Sequence, residues 1–235
     1  VLRVATALGI AGVLLAQQPD LGGAILLGGI AAVTLFFSGI SWRWMLAGLG
    51  GVVVLAVLGW TLLFSQYQKD RISTFLDPAA DPLDTGYNVN QAMIAIGSGG
   101  WLGRGFAEGS QSQLQFLPES QTDFIFAVIA EEFGFVGALF VLLAFAFLLA
   151  RIFLAAFSAK DRFMRAFLFG GAALFFIPMV IHMGANMGIL PATGITLPLV
   201  SYGGSSLLMT ILLLGMVLRV IWEVRANSAN QREGI

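Results

Sequence analysis

Apolar residues run in long blocks along this chain, divided by short polar breaks and one long polar excursion. A helix needs about 20 consecutive apolar residues to cross a hydrocarbon core. Six such runs are predicted: Leu2 to Ala16, Leu21 to Ile40, Trp44 to Phe64, Asp123 to Ala150, Ala166 to Asn186 and Tyr202 to Trp222. Gln17-Gln18-Pro19-Asp20, the tight Ser41-Trp42-Arg43 and the basic stretch from Arg151 to Arg165 separate them, and Pro178 predicts a kink in the fifth. Residues 65–122 make the long polar connection. Within it Val89, Ala92, Met93 and Ile96 recur at helical spacing, which predicts a short amphipathic helix. That helix either lies on the membrane surface or packs on the ends of the spans.

Two stretches depart from this pattern. Phe116 to Gly137, FLPESQTDFIFAVIAEEFGFVG, joins the polar excursion to the fourth span. Ser120 and Asp123 have capping-box spacing, so a helix is predicted to start at Ser120. On it Asp123 shares a face with Ala127, Ala130, Gly134 and Gly137, with Glu131 at the edge roughly 12 Å further along. So bare a face either packs closely on another helix or walls a cavity. Asp123 either caps the helix or serves chemistry. Glu131 and Glu132 either face a cavity or sit near the outer interface, where a charge costs little.

The second stretch, Gly184 to Ser206, GANMGILPATGITLPLVSYGGSS, carries too many glycines and prolines for continuous helix. Irregular backbone near a membrane is buried in protein or lines a wet cavity. The segment is expected to be re-entrant, with Asn186, Thr193, Thr196, Ser201, Tyr202 and Ser205 as polar lining; a plain turn outside the membrane is the alternative. His182 is expected to make a hydrogen bond within the bundle rather than to act as a ligand. The glycine-rich GSGGWLGRGFAEG, Gly97 to Gly109, is a weak phosphate motif, because no strand-to-helix context supports it. Arg104 within it suits an anionic lipid headgroup.

Composition fixes the class. The chain is 58% hydrophobic and 11% charged, with 20 Phe and 29 Gly among 235 residues. That describes an all-α, polytopic integral membrane protein, a single membrane domain over 1–235 that includes the 65–122 loop. A net charge of −1 gives no reason to expect nucleic acid. The absence of Cys and the lone His exclude disulfides, thiol catalysis and His-rich metal sites. The chain opens directly in apolar sequence with no signal peptide, so an N-terminal part of a longer protein is expected to precede it. Arg3, Arg43, Arg151, Lys160, Arg162, Arg165, Arg219, Arg225 and Arg232 fall on one side of the six predicted spans, leaving Lys69, Arg71 and Arg104 on the other. The first side, with the C-terminal tail, is therefore expected to be cytoplasmic, and the long loop extracytoplasmic.

FLPESQTDFIFAVIAEEFG and GILPATGITLPLVSYGGSS resemble the signatures of the SEDS family, the shape, elongation, division and sporulation proteins. The similarity continues through QQPDLGGAILL and FLDPAADPLDTGYNVNQAMIAIGSGGWLGRGFAEGSQSQL, and so covers nearly the whole chain. GSQSQLQFLPESQTDFIF is closer to the elongation branch than to the division branch. Family members have ten spans, so the six here would be the C-terminal part. The resemblance implies a peptidoglycan glycosyltransferase in the bacterial inner membrane, polymerising lipid II on its outer face without nucleotide. The family's critical aspartate falls on Asp123, as a base or as the holder of a divalent Mg or Mn ion at the diphosphate. Arg104, Gln113, Glu119 and Ser201 are candidate substrate contacts. A class B penicillin-binding protein and the elongation machinery are the implied partners. A lipid II flippase and a non-catalytic scaffold for the transpeptidase are the alternatives. No internal repeat is visible, and the carboxylates cluster on the outer side, which favours the enzyme.

Overall fold

In a computed structural model, residues 10–12, 14–15, 20–62, 66–76, 85–114 and 116–232 are described, and the regular elements among them are helices. They are α1 (Leu21–Phe37), α2 (Trp42–Leu62), α3 (Gln66–Leu76), α4 (Thr85–Gly99), α5 (Ser110–Gln113), α6 (Ile125–Ser158), α7 (Arg162–Asn186) and α8 (Gly204–Arg232). Among the described residues α6, α7 and α8 are long and apolar enough to cross a membrane, and α1 contributes a shorter apolar helix. The first predicted span falls largely outside the described residues.

The chain divides into two compact units. The first comprises Val1–Ser65, Leu148–Ile177 and Ile211–Ile235. Its helices meet through glycines, as expected where lipid supplies no hydrophobic drive and close backbone approach must bind helices together. A side chain on Gly29 would strike Ile177, and one on Gly170 would lie 2.7 Å from the Thr34 hydroxyl. Phe37 stacks on Phe169 with ring centroids 3.4 Å apart, and Val217 of α8 fills the space left by Gly171. Asp20 caps α1 by accepting from the Gly23 amide at 2.9 Å, and Asp161 serves Met164 of α7 likewise.

The second unit comprises Gln66–Phe147 and Pro178–Thr210. Here α4 packs on the start of α6: Ala92 and Ala95 are buried against Leu117, Phe124 and Ala127, while Met93 and Ile94 stay exposed. A helix is present there, α4, and it packs on the start of α6. Its buried stripe runs through Ala92 and Ala95 rather than through Met93.

The fourth predicted span starts later than its capping-box spacing suggests. Residues 119–124 are tight turns and α6 begins at Ile125. Glu119 takes a left-handed conformation, φ +52°, which a regular helix cannot include. Its carbonyl instead accepts from the amides of Thr122, Asp123 and Phe124.

The glycine-rich segment after α4 closes a break in α6. At Gly134 the backbone leaves helical geometry, with φ 65° and ψ −160°, a region essentially reserved for glycine. The polar groups freed there are taken up by the preceding loop. Arg104 and Gly105 amides donate to the carbonyls of Glu131 and Glu132, and the amides of Phe135 and Val136 donate to the carbonyls of Gly100 and Trp101. Chains can approach this closely only without side chains: a Cβ on Gly99 would overlap the Ala130 carbonyl, and one on Gly103 that of Glu132. The small-residue face of Ala127, Ala130 and Gly134 is thus covered by α4 and this loop. That is close packing rather than a cavity wall.

Candidate functional site

The site is built on the turn that carries Asp123. Three successive carbonyls of that turn are each held, one by the last residue of α7 and two by the segment that follows it. The Tyr202 amide donates to Gln121 at 2.9 Å, the Ser201 hydroxyl to Thr122 at 2.8 Å, and the Asn186 side-chain amide to Asp123 at 2.9 Å. Ser201 also accepts from the Leu197 amide, so both roles of its buried hydroxyl are used inside the protein.

Asn186 is fully buried, and its hydrogen-bonding capacity is met by protein. Its oxygen accepts from the Ala127 amide at 3.1 Å, and its nitrogen donates both to Asp123 and to the His182 carbonyl one turn earlier. It therefore performs from another helix the capping of α6 that the sequence suggests for Asp123, since Ala127 is the third residue of that helix. Asp123 is left half-buried, its carboxylate set against Gly194, where an added Cβ would lie 3.7 Å from Oδ2.

Burial raises the Asp123 pKa above the usual carboxylate value, and the charge of Glu119 adds to the rise. His182, the Thr122 hydroxyl and Arg71 act in the opposite direction without cancelling it. Thr122 donates to Glu119 Oε2 at 3.0 Å, which ties the two acidic residues into one turn. His182 is buried, and its Nδ1 bonds the Ile195 carbonyl at 2.9 Å, the bundle hydrogen bond expected of it.

The residues from 187 to 203 form no helix, and part of their course is buried in protein. Leu197 is 1% exposed, within a core cluster with Phe126, Phe145 and Met183. Gly188 ends α7 in the left-handed conformation, φ +69°, and the Ile189 and Leu190 amides return to the Gly184 carbonyl.

Of the residues singled out in the sequence, Glu119, Asp123 and Ser201 come together. Arg104 belongs to another polar cluster, organised by Glu131, and Gln113 lies on α5 beside it. That carboxylate is fully buried and accepts from the amides of Gln111 and Ser112 at 2.8 and 3.1 Å. Arg104 is exposed and donates to the Ser110 hydroxyl at 2.9 Å, while Gln113 is an exposed residue of α5. Glu131 is thus an internal anchor for the loop. Arg71 and Asn186 carry more than the sequence assigned them. A signal for the second was present, in two polar residues one helical turn apart, His182 and Asn186, inside an apolar run.

A helical, multi-pass membrane protein with a desolvated carboxylate at the head of one span, clamped by an irregular segment after another, is the class defined so far. Residues 1–226 match the family model described as cell cycle protein, FtsW/RodA/SpoVE, and the chain belongs to this family. It is 45% identical over 209 residues to the peptidoglycan glycosyltransferase MrdB of Escherichia coli K12, covering 88% of this chain and 56% of that protein. The probable peptidoglycan glycosyltransferase FtsW of Thiomicrospira cyclica is 39% identical over 236 residues, 99% of this chain and 60% of that one. Among solved structures, a chain from a peptidoglycan synthase complex that coordinates polymerization and crosslinking superposes with TM-score 0.76 at 36% identity, covering 94% of this chain and 61% of its own length. The rod shape determining protein RodA of Thermus thermophilus gives 0.61 at 32%, with 95% and 56% covered. The chain therefore spans a little over half the length of the relatives it matches.

Proposed function

We propose that the protein to which this chain belongs is a peptidoglycan glycosyltransferase that joins lipid II units on the outer face of the bacterial inner membrane. The observation that carries this is the Asp123 turn. A carboxylate with a raised pKa is held in place by three consecutive carbonyl contacts from residues 186–202. A base works best when its pKa approaches the working pH and its position is fixed before substrate arrives.

In the proposed reaction the acceptor sugar's 4-hydroxyl gives its proton to the Asp123 carboxylate as its oxygen bonds the donor's anomeric carbon. The bond from that carbon to the pyrophosphate oxygen breaks, and undecaprenyl pyrophosphate leaves with the electron pair. Pyrophosphate is a good leaving group, so one base can suffice where glycosidases use two carboxylates. Glu119 lies in the same turn and shapes the Asp123 charge. Ser201 holds the turn rather than the sugar, because its hydroxyl is already committed on both sides. Arg104 and Gln113 would meet substrate only at the Glu131 cluster, as headgroup contacts.

Among the described residues no three His, Cys, Asp or Glu side chains gather around a metal position. Asp123, with Glu119 in the same turn, would be the residue to hold a hard divalent ion in the way Mg²⁺ is commonly held, by one or two carboxylates together with substrate phosphate oxygens. Such an ion would supply charge neutralisation at the diphosphate. Like the base role, it needs Asp123 deprotonated.

The distribution of positive charge supports a long loop outside the membrane and a tail inside. A class B penicillin-binding protein is the proposed partner, supported by the related chain's place in a synthase complex that also crosslinks. The test is to supply purified full-length protein and this partner with lipid II, in the absence of nucleotide, and to resolve the products. Glycan polymer from the wild type and none from Asp123→Asn supports the reading. Lipid II moved across a bilayer without polymer would replace it with the flippase.

A further inference from the structure

His182 is 2% exposed, and a neutral imidazole there has one donor and one acceptor to satisfy. The Ile195 carbonyl can only accept, so Nδ1 carries the proton of that hydrogen bond and Nε2 is left with its lone pair. Among the described residues Nε2 has no hydrogen-bond partner, although the atom is buried. Buried polar atoms without partners are few in native structures, and each calls for a reason, a role in catalysis or a water or ion that completes it among them.

The surroundings say which ligand. The ring is seated on Ile195, and the preceding residue, Gly194, is the one against which the Asp123 carboxylate lies. Gly194 is itself exposed, so this edge of the site can be reached from outside. Asn186 ties the His182 and Asp123 backbones to each other through one amide nitrogen. Asp123 is also the charged group that acts on the His182 ring.

We infer that His182 is a second substrate-contacting residue of the Asp123 site, its Nε2 accepting a hydrogen bond from a hydroxyl of the acceptor saccharide. This rests on the glycosyltransferase reading and adds the group that orients the sugar beside the base. No proton is transferred to the ring. Sites built to hydrogen-bond a hydroxyl discriminate strongly through such acceptors, because the buried partner is otherwise left unpaired.

The test uses full-length protein with its transpeptidase partner and measures initial polymerisation rates against lipid II concentration. His182→Phe keeps a buried ring and removes the acceptor. It should raise KM about 10-fold or more while kcat changes less than about threefold, with thermal melting kept within a few degrees. His182→Gln places an amide acceptor near the same point and should restore most of the affinity. Should the Phe variant not fold, His182→Met takes its place.

A parallel arm measures equilibrium binding of fluorescent lipid II to Asp123→Asn, with and without His182→Phe. Weaker binding only in the double variant supports the inference. Unchanged KM and binding, or a loss matched wholly by loss of folded protein, overturns it. If wild type binds lipid II but makes no polymer, the enzyme reading fails while the binding arm still decides His182. If nothing binds, both fall.

Discussion

At the scale of single residues, Asp123 sets function against stability. Burial favours its protonated form, so its contribution to folding is complete below the ordinary carboxylate range and is lost as pH rises through the raised value. At neutral pH the charged group therefore weighs against the folded state. Asp123→Asn is expected to abolish polymerisation yet melt at the same temperature as wild type or higher, as followed in detergent by tryptophan fluorescence. A lower melting temperature would show that the carboxylate is a structural cap after all. Asn186 should behave in the opposite way. Asn186→Ala leaves the Ala127 amide and two carbonyls without their buried partner, a cost of about 1–3 kcal/mol. Because Asn186 holds the backbone of Asp123, kcat should fall further than the loss of folded protein explains, while KM for lipid II stays near wild type.

Among the elements, the joint between the loop after α4 and the broken α6 invites a direct test. Gly134→Ala places a side chain in a region of φ and ψ that only glycine occupies comfortably and pushes it into the Gly103 backbone. Strain of this kind costs about 1–3 kcal/mol before the overlap is counted, so the variant should melt well below wild type, and Gly103→Ala likewise. Leu102→Ala, at a neighbouring residue that is 81% exposed, should change the melting temperature little. This joint also shows what a sequence can and cannot disclose. Apolar runs mark the spans because lipid imposes a length and a composition on each helix, and Asp20 marks a helix start because its capping bond is local. The motif around Asp123 stood out through resemblance. In Gly97 to Gly109, however, the glycines looked like a weak phosphate loop, since their partners lie some thirty residues away in the chain. No local pattern says that one loop's amides will answer another helix's carbonyls. The start of α6 was misplaced for a related reason: Ser120 and Asp123 have capping spacing, but Glu119 turns left-handed and Asn186 supplies the cap from a distant helix.

For the molecule as a whole, the matched relatives are longer than this chain, and the activity proposed here belongs to the longer protein. Residues 1–235 expressed alone should give no polymer in the lipid II assay, and activity should appear when the portion of a longer relative that this chain does not match is supplied as a separate chain. Robust polymerisation by 1–235 alone would mean that the Asp123 turn and the 186–202 segment are already a sufficient active site. The joint at Gly134 bears on how such a protein can change over generations. Its seal is made from main-chain atoms, so it demands glycine at 99, 103 and 134, while Trp101 and Phe106 add only ring contacts to Phe135 and Phe133. Trp101, Leu102 and Phe106 are each more than three-quarters exposed on that same loop. Lineages can therefore rewrite this surface to suit their own membrane or neighbours while the frame beneath it stays fixed.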